Sequence, residues 1–207
     1  MRYQVGNSII LFDGTGVEYH AVIEDLQKKK LMLRIEQTVA VPREIKTRLV
    51  LAVALPKGDR QKFLVEKLVE LGVSRLIPLK TSRGVSVANA KVIQRLRKQV
   101  IEASKQCGRN TLLEIQEEQT IKQLADSVDS DQPRWIADPN HGTPIGSLAS
   151  YPIDSILVAV GPEGGFDDQE TQLARELGFQ PVQLGPAILR IETAAIAVAS
   201  ILGVGRE

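Results

Sequence analysis

Residues 155–161, SILVAVG, form an apolar run that no polar side chain interrupts after the first position. A continuous run of this kind predicts a β-strand buried on both faces, the pattern of a parallel sheet covered by helices. Gly161 and Pro162 end the strand. Residues 167–178, DDQETQLARELG, begin with acidic side chains that complement a helix dipole and end in glycine. The segment therefore predicts a strand, a loop and a helix in succession.

The same alternation extends from Leu49 towards the C-terminus. The predicted strands are LVLAVALP, RLIPLK, LLEIQEEQ, RWIAD, SILVAVG and QPVQLGP, and the predicted helices are RQKFLVEKLVELG, residues 89–106, a short helix near Ile121, residues 167–178 and residues 190–204. This order predicts an α/β fold with a parallel sheet flanked by helices. The last helix is apolar nearly all round, which fits either a core helix or a subunit interface.

Residues 1–40 have a different character. Three short alternating segments, NSIILFDG, EYHAVIEDL and KLMLRIEQ, are separated by glycines and by the run of three lysines. The pattern predicts a small antiparallel sheet or barrel, which is too short to be stable alone. Residues 41–47 carry Pro42 and several charges, so they are predicted to be a linker.

Composition excludes several classes of protein. The chain has 207 residues and a formal net charge of +1, so only local charge can indicate a nucleic-acid partner. Cys107 is the single cysteine and is expected to pack in the core from a helix, and the two histidines form no metal-ligand cluster, so no metal is expected. Neither a membrane span nor a secretion signal is evident, and we expect a cytoplasmic protein without a membrane partner.

Familiar catalytic motifs are also missing from the sequence. The segment FDGTG, residues 12–16, lacks the third glycine and the following helix of a dinucleotide site and is interpreted as a hairpin turn. No phosphate-binding loop, G-x-S-x-G elbow or triad pattern is present.

Basic side chains concentrate in two places. Lys91, Arg95, Lys98, Lys105 and Arg109 recur at helical steps, which fits either a surface that follows a phosphate backbone or a solvated helix face. The other basic side chains lie just after predicted strands, where α/β proteins bind ligands. The candidate RNA-binding residues are Lys57, Arg60, Lys62, Arg83, Lys105 and Arg109.

Four ordered motifs then resemble one family. They are PKGDRQKFLVEKLVELGV, EASKQCGRN, the strand that leads into IADP, and the pair VGPEGGFDDQE with LGPAILRIETAA. Together they resemble the RsmE family, 16S ribosomal RNA (uracil-N3) methyltransferases of the SPOUT superfamily. The resemblance implies a SPOUT domain with a C-terminal deep trefoil knot, S-adenosyl-L-methionine as cofactor, and a homodimer that acts on 16S rRNA or the small ribosomal subunit.

Three loops match the family's cofactor pocket, and their glycines would let the backbone approach an adenosine closely, although turn geometry alone also explains glycine there. The implied cofactor-binding residues are Ala137, Asp138, Pro139, Gly161, Pro162, Glu163, Gly164, Gly165, Leu184, Gly185, Ile188, Leu189, Arg190, Thr193 and Ala194.

Catalysis at uracil N3 requires an unpaired base and leaves negative charge on the ring. Arg190 is the expected stabiliser of that charge. Glu163 and Glu192 are candidates for a base or for orienting Arg190 and the cationic cofactor, and Glu192 also fits a helix-capping role.

Two departures from the family pattern concern RNA recognition. Ala187 stands where the family usually has arginine, and residues 1–43 resemble a PUA-like RNA-binding domain that lacks an early strand, so this domain is expected to be incomplete. Residues 44–207 form the expected methyltransferase domain. A non-catalytic RNA-binding module and a SPOUT enzyme acting on transfer RNA or another ribosomal site remain as alternatives.

Overall fold

The computed structural model describes residues 3–129, 131–148 and 153–204. The chain divides into two compact units. The first unit combines Met1–Glu44 with Ser104–Leu112, and the second combines Ile45–Ala103 with Leu113–Glu207. The sequence patterns did not indicate that residues 104–112 belong with the N-terminal segment.

The first unit contains a three-stranded antiparallel sheet, in the order β1-β2-β3. Its strands are β1, Ser8–Phe12, β2, Val17–Leu26, and β3, Leu31–Ala40. The register between β2 and β3 shifts twice, at His20/Ala21 and at Ile23/Asp25. The predicted antiparallel sheet is confirmed, with bulges that the alternation of the sequence did not reveal.

A buried polar cluster joins the two segments of the first unit. Asn110 is 1% exposed, and its side-chain nitrogen donates to Glu18 Oε1 at 3.1 Å and to the Val41 carbonyl at 3.0 Å. The guanidinium of Arg109, also buried, donates to both carboxylate oxygens of Glu44. Buried polar groups are tolerated when they are paired in this way.

The second unit is built on a seven-stranded parallel sheet, in the order β6-β5-β4-β9-β7-β10-β8. Its strands are β4, Arg48–Val53, β5, Arg75–Pro78, β6, Glu114–Ile115, β7, Arg134–Ala137, β8, Thr143–Pro144, β9, Ser155–Val160, and β10, Gln180–Gln183. The predicted α/β class with a parallel sheet is confirmed. The short strand β8 was not predicted, and β6 is shorter than its sequence pattern.

The helices are α1, Arg60–Glu70, α2, Ala90–Cys107, α3, Ile121–Asp126, α4, Ile145–Leu148, α5, Asp168–Glu176, and α6, Ile191–Ala199, which continues as a π-helical segment, Ser200–Val204. Capping boxes begin α3 at Thr120 and α5 at Asp167. Cys107 ends α2 but is exposed, so the expected core position was wrong.

The centre of the sheet is apolar and buried. The residues of β4 and β9 after their first positions are buried with at most 2% exposure, as the continuous apolar runs predicted. A core cluster on one side packs strand residues such as Leu157 against α3 and α5 residues such as Leu124 and Ala174. Within the described residues, no helix has the length and apolar character needed to cross a membrane.

Truncating Leu157 should test how far the unit depends on its central strand. Leu157 is 0% exposed and lies opposite Val50 of β4 and Arg134 of β7. We expect Leu157→Ala to lower the free energy of unfolding by about 2–5 kcal/mol, because it leaves a cavity in a packed core. Urea unfolding followed by circular dichroism measures the change. Leu173→Ala, on an exposed position of α5, is the control and should change the free energy of unfolding by about 0.5 kcal/mol or less.

Candidate active site

The main cavity of the second unit lies at the carboxyl ends of three adjacent strands, β9, β7 and β10. It has a volume of about 710 Å³. In open parallel sheets, ligands bind at this edge because the loops that leave the strands converge there. Its wall includes Ala137 at the end of β7, Gly161 after β9 and Leu184 after β10.

The structure brings the predicted cofactor residues together. All of them line the cavity except Arg190 and Thr193. Thr193 is exposed on α6, and Arg190 lies in a smaller neighbouring cavity. The binding role of these residues stays a prediction, but the three loops do meet at one site.

The sequence analysis missed one wall of the cavity. Helix α5 contributes Asp168, Thr171, Gln172 and Arg175, which recur at helical steps and share one face. That spacing was visible in the sequence and was a usable signal, since the helix directly follows the glycine-rich loop. Phe166, Asn140 and His141 line the cavity as well.

Asp138 shapes the loop after β7. One of its carboxylate oxygens, Oδ1, accepts hydrogen bonds from the backbone nitrogens of Asn140 at 2.8 Å and His141 at 3.2 Å. The other oxygen lies 3.3 Å from His141 Nδ1. Asp138 therefore turns the chain locally and places an acidic group in the cavity wall.

The loop after β9 is fixed by neighbouring side chains. Arg83 donates from Nη1 to the Gly164 carbonyl at 2.7 Å, so this residue, predicted to bind RNA, supports the loop in the structure. A Cβ atom on Gly161 would lie 2.8 Å from the Phe166 ring. Gly161 thus allows close packing of an aromatic ring beneath the loop. Gly165 has a φ of 69°, in the left-handed region. The conformation of the turn therefore favours glycine at this position.

Glu170 connects this loop to the segment after β5. Its carboxylate accepts from the Asp167 backbone nitrogen at 3.0 Å within the capping box of α5. It also accepts from the Ser82 backbone nitrogen at 2.7 Å. The pKa of Asp167 is lowered, mainly because the backbone nitrogen of Glu170 donates to it. The start of α5, and with it the cavity wall, is held by the side chains of Asp167 and Glu170.

A second cavity of about 480 Å³ adjoins the first. It is lined by Arg60, Glu163, Ile188, Leu189 and Arg190, and three of these residues, Glu163, Ile188 and Leu189, also line the main cavity. Ile188 is 80% exposed. An apolar side chain this exposed between two cavities is suited to contact a ligand that covers it.

Charged groups meet in this second cavity. Arg60 donates from Nη1 to Glu163 Oε1 at 2.5 Å and lies 3.7 Å from Glu192 Oε2. The pKa of Glu163 is lowered, chiefly by the hydrogen bond from Arg60, with further effects of Arg190 and Lys57. Glu192 is 6% exposed and buried in the first turn of α6. It does not form a capping box, because the helix N-cap is Arg190 and has no side-chain capping bond.

Strand register explains why residues distant in sequence meet here. Val53, the last residue of β4, lies opposite Val160, the last residue of β9. The Ala54 backbone nitrogen donates to the Val160 carbonyl at 3.0 Å, so the pairing of the two strands continues to their carboxyl ends. The loop that leads from β4 to Arg60 and the loop that carries Glu163 therefore leave the sheet side by side.

The remaining predicted RNA-binding residues are distributed differently. Lys57 and Lys62 are exposed, on the loop after β4 and on α1, and Lys105 is exposed in the last turn of α2. Arg109 does not lie on an exposed helix face as predicted, because α2 ends at Cys107 and its guanidinium is buried against Glu44. Among the described residues, no group of three acidic, histidine or cysteine side chains is placed to hold a metal ion.

The chain is similar to known RNA methyltransferases over most of its length. Residues 43–203 match the model of an RNA methyltransferase domain, and residues 1–36 match an RNA methyltransferase PUA domain. A ribosomal RNA small subunit methyltransferase E from Rickettsia conorii is 34% identical, covering 97% of this chain and 82% of the relative. One from Synechocystis is 32% identical, covering 97% of this chain and 67% of the relative.

A solved structure shows the same fold. The ribosomal RNA small subunit methyltransferase E from Neisseria gonorrhoeae, bound to S-adenosyl methionine, superimposes with a TM-score of 0.91 and 33% identity, covering 98% of this chain and 85% of that one. The fold is that of an RNA methyltransferase domain. Within that class, the chain belongs to the ribosomal RNA small subunit methyltransferase E (RsmE) family. The family prediction made from the sequence is confirmed.

Filling the space beneath the loop after β9 should weaken ligand binding. We expect Gly161→Ala to weaken the free energy of ligand binding by about 1–3 kcal/mol, because Phe166, which also lines the cavity, must move aside. That energy corresponds to roughly 5- to 150-fold in the Kd for S-adenosyl methionine, measured by isothermal titration calorimetry.

Gly146→Ala is the matched control. A Cβ atom at Gly146 meets nothing within 4 Å, and the residue lies in α4 of the same unit. Equal affinity of the Gly161→Ala variant and the wild type would contradict the role given to this packing.

Proposed function

We propose that this protein transfers a methyl group from S-adenosyl-L-methionine to N3 of a specific uridine in 16S ribosomal RNA of the small subunit, in the cytoplasm. The observation that carries the proposal is the pair of adjoining cavities that share Glu163, Ile188 and Leu189. One cavity suits a cofactor and the other an acceptor base. Family membership supports the reaction class, and the names of the relatives support the small subunit as substrate.

The main cavity fits the cofactor in chemistry and in size. Its glycine-rich loops expose backbone groups, Leu189 offers apolar surface to an adenine, and Asp138 offers acceptor oxygens to ribose hydroxyls. When bound, S-adenosyl-L-methionine supplies an electrophilic methyl group on a positively charged sulfur. We expect the methyl group to face the second cavity, because the shared residues lie between the two.

The second cavity suits an unpaired uracil. The base must leave its stack to expose N3, and the exposed side chain of Ile188 provides a surface on which it can rest. When N3 loses its proton, negative charge spreads to the ring carbonyl oxygens. Arg190 lines this cavity and is exposed, so its guanidinium is available to stabilise that charge.

Exposed cations beside the cavity suit the RNA backbone. Lys57 follows β4 directly and Lys62 lies on α1, so both are close in sequence to Arg60 of the second cavity. Phosphate contacts of this kind position an RNA without reading its sequence. The PUA-like first unit is the expected second contact with RNA, in keeping with its family match.

Mapping of methylated nucleotides tests the function directly. In cells that lack the gene, we expect small-subunit RNA to lose one N3-methyluridine, detected by mass spectrometry of nuclease fragments. The wild-type gene should restore the modification, and Arg190→Ala should restore little of it. With purified protein, this variant should bind the cofactor normally but transfer methyl groups roughly 10²- to 10³-fold more slowly, because it lacks a stabiliser of the anionic base.

Arg48→Ala is a suitable control for the loss of an arginine. Arg48 begins β4 at the opposite, amino end of the sheet and is exposed, so its removal should leave transfer unchanged.

A methylated nucleotide lost from transfer RNA, and not from the small subunit, would overturn the proposed substrate. Absence of S-adenosyl-L-methionine binding would favour a non-catalytic RNA-binding module.

We also propose a homodimer and a knotted C-terminus, as the family resemblance implies. Helix α6 buries Ile191, Ala195 and Val198 within its own unit. Ile196 and Ala197, followed one turn later by Ser200 and Ile201, remain partly exposed on another face. A small and apolar face of this kind is suited to close helix packing with a second copy.

A bulky charge on that face should separate the subunits. We expect Ala197→Arg to convert a dimer into a monomer, because the arginine cannot be buried without a partner. Light scattering during size-exclusion chromatography gives the mass, and Lys91→Ala, on an exposed position of α2, is the control. A variant that remains dimeric would place the interface elsewhere.

A further inference from the structure

Arg60 lies between two carboxylates that come from different elements. It is the first residue of α1, Glu163 lies on the loop after β9, and Glu192 lies in the first turn of α6. Its Nη1 atom is 2.5 Å from Glu163 Oε1 and 3.7 Å from Glu192 Oε2. Helices α1 and α6 pack against each other, so the position of this guanidinium is set by both.

Glu192 is the unusual member of the group. Its side chain is only 8% exposed, and Oε2 has no hydrogen-bond partner among the described residues. Burying a carboxylate is costly unless a charge or hydrogen bonds compensate it. Within the described part of the chain, Arg60 is the cation that pairs with it. The burial of Glu192 therefore favours the observed placement of Arg60.

Glu163 is the member of the group that faces ligands. It is half-exposed and lines both the main cavity and the second cavity, whereas Arg60 lines only the second. The Arg60 guanidinium thus constrains the one carboxylate that stands between the proposed cofactor and the proposed acceptor base.

We infer that Arg60 is a positioning residue for methyl transfer: it holds the Glu163 carboxylate at the boundary of the two cavities, and the buried Glu192 carboxylate in turn holds Arg60. The inference rests on the proposed function and deepens it. Sequence analysis had grouped Arg60 with RNA-binding cations, but its guanidinium is directed to carboxylates of its own chain.

The local charges give Glu163 a defined protonation state. Arg60, Arg190 and Lys57 lower its pKa, with the hydrogen bond from Arg60 as the largest cause, while Glu192 is the carboxylate on the other side of Arg60. A lowered pKa keeps Glu163 ionised into the acidic range and makes it a weak acceptor for the N3 proton. Glu163 then acts as a fixed negative charge beside the cationic cofactor and Arg190.

The test compares three variants of the full-length protein with small ribosomal subunits as substrate. Arg60→Gln removes the cation, and Arg60→Lys keeps it. The control, Lys67→Gln, removes a different cation of α1, which pairs with Glu70 at 2.7 Å and is about as exposed as Arg60. We expect Arg60→Gln to lower kcat roughly 10- to 100-fold with little change in the KM for the subunit, because Glu163 is misplaced. Arg60→Lys should recover part of the loss, and Lys67→Gln should match the wild type.

The pH profile supplies a measurement that a merely structural residue would not change. Loss of the cation raises the pKa of Glu163, so the acidic limb of the kcat profile should move to higher pH in Arg60→Gln. The wild type, with its lowered Glu163 pKa, should keep its activity further into the acidic range. An unmoved acidic limb with a reduced kcat would overturn the inference.

Further outcomes separate the alternatives. If the KM for the subunit rises, kcat is unchanged and the salt dependence of binding weakens, Arg60 contacts RNA phosphate and the inference is wrong. If Arg60→Gln does not fold, Arg60→Gln with Glu192→Gln removes the uncompensated buried charge, and the same loss of kcat is expected. A wild-type protein that binds no S-adenosyl-L-methionine in calorimetry would instead refute the proposed function itself.

Discussion

Parallel pairing of β4 with β9 at the centre of the sheet is the constraint on which the site depends. The two strands are buried on both faces and end at the same level, at Val53 and Val160. Because parallel strands place all their carboxyl ends at one edge, the loops that follow them are neighbours although about a hundred residues separate them. The adjoining cavities, and the meeting of Arg60 with Glu163, follow from this register.

Three glutamates at the site each have a partner that compensates their negative charge. Glu163 and Glu192 share the guanidinium of Arg60, and Glu170 accepts from the backbone nitrogens of Asp167 and Ser82. Such pairing fixes geometry more than it stabilises the fold, since exposed ion pairs contribute little to stability and buried ones seldom repay their desolvation. A methyl transfer that depends on the approach of two bound molecules benefits from that fixed geometry.

Much of the second unit was predictable because its signals are local. Apolar runs predicted buried strands, acidic residues predicted where α5 begins, and glycine predicted where it ends. The ion pairs were not predictable, since they depend on the strand order, which no segment reveals by itself. Arg109 was misplaced because the basic periodicity of α2 continues in sequence after the helix has ended at Cys107. Cys107 follows the apolar spacing of α2 but is exposed as the last residue of the helix. The face of α5 at the cavity was visible in the spacing but was not used.

The return of residues 104–112 to the first unit means that this unit is not a continuous piece of the gene. A fragment that stops at Glu44 would omit Asn110 and Arg109, leaving Glu18 and Glu44 without two of their hydrogen-bond donors. The complementary fragment would carry those donors with no acceptor from residues 1–44. Recombination between homologues at a single junction near residue 44 would thus separate the hydrogen-bond donors from their acceptors. The two segments of the first unit are therefore expected to be inherited together.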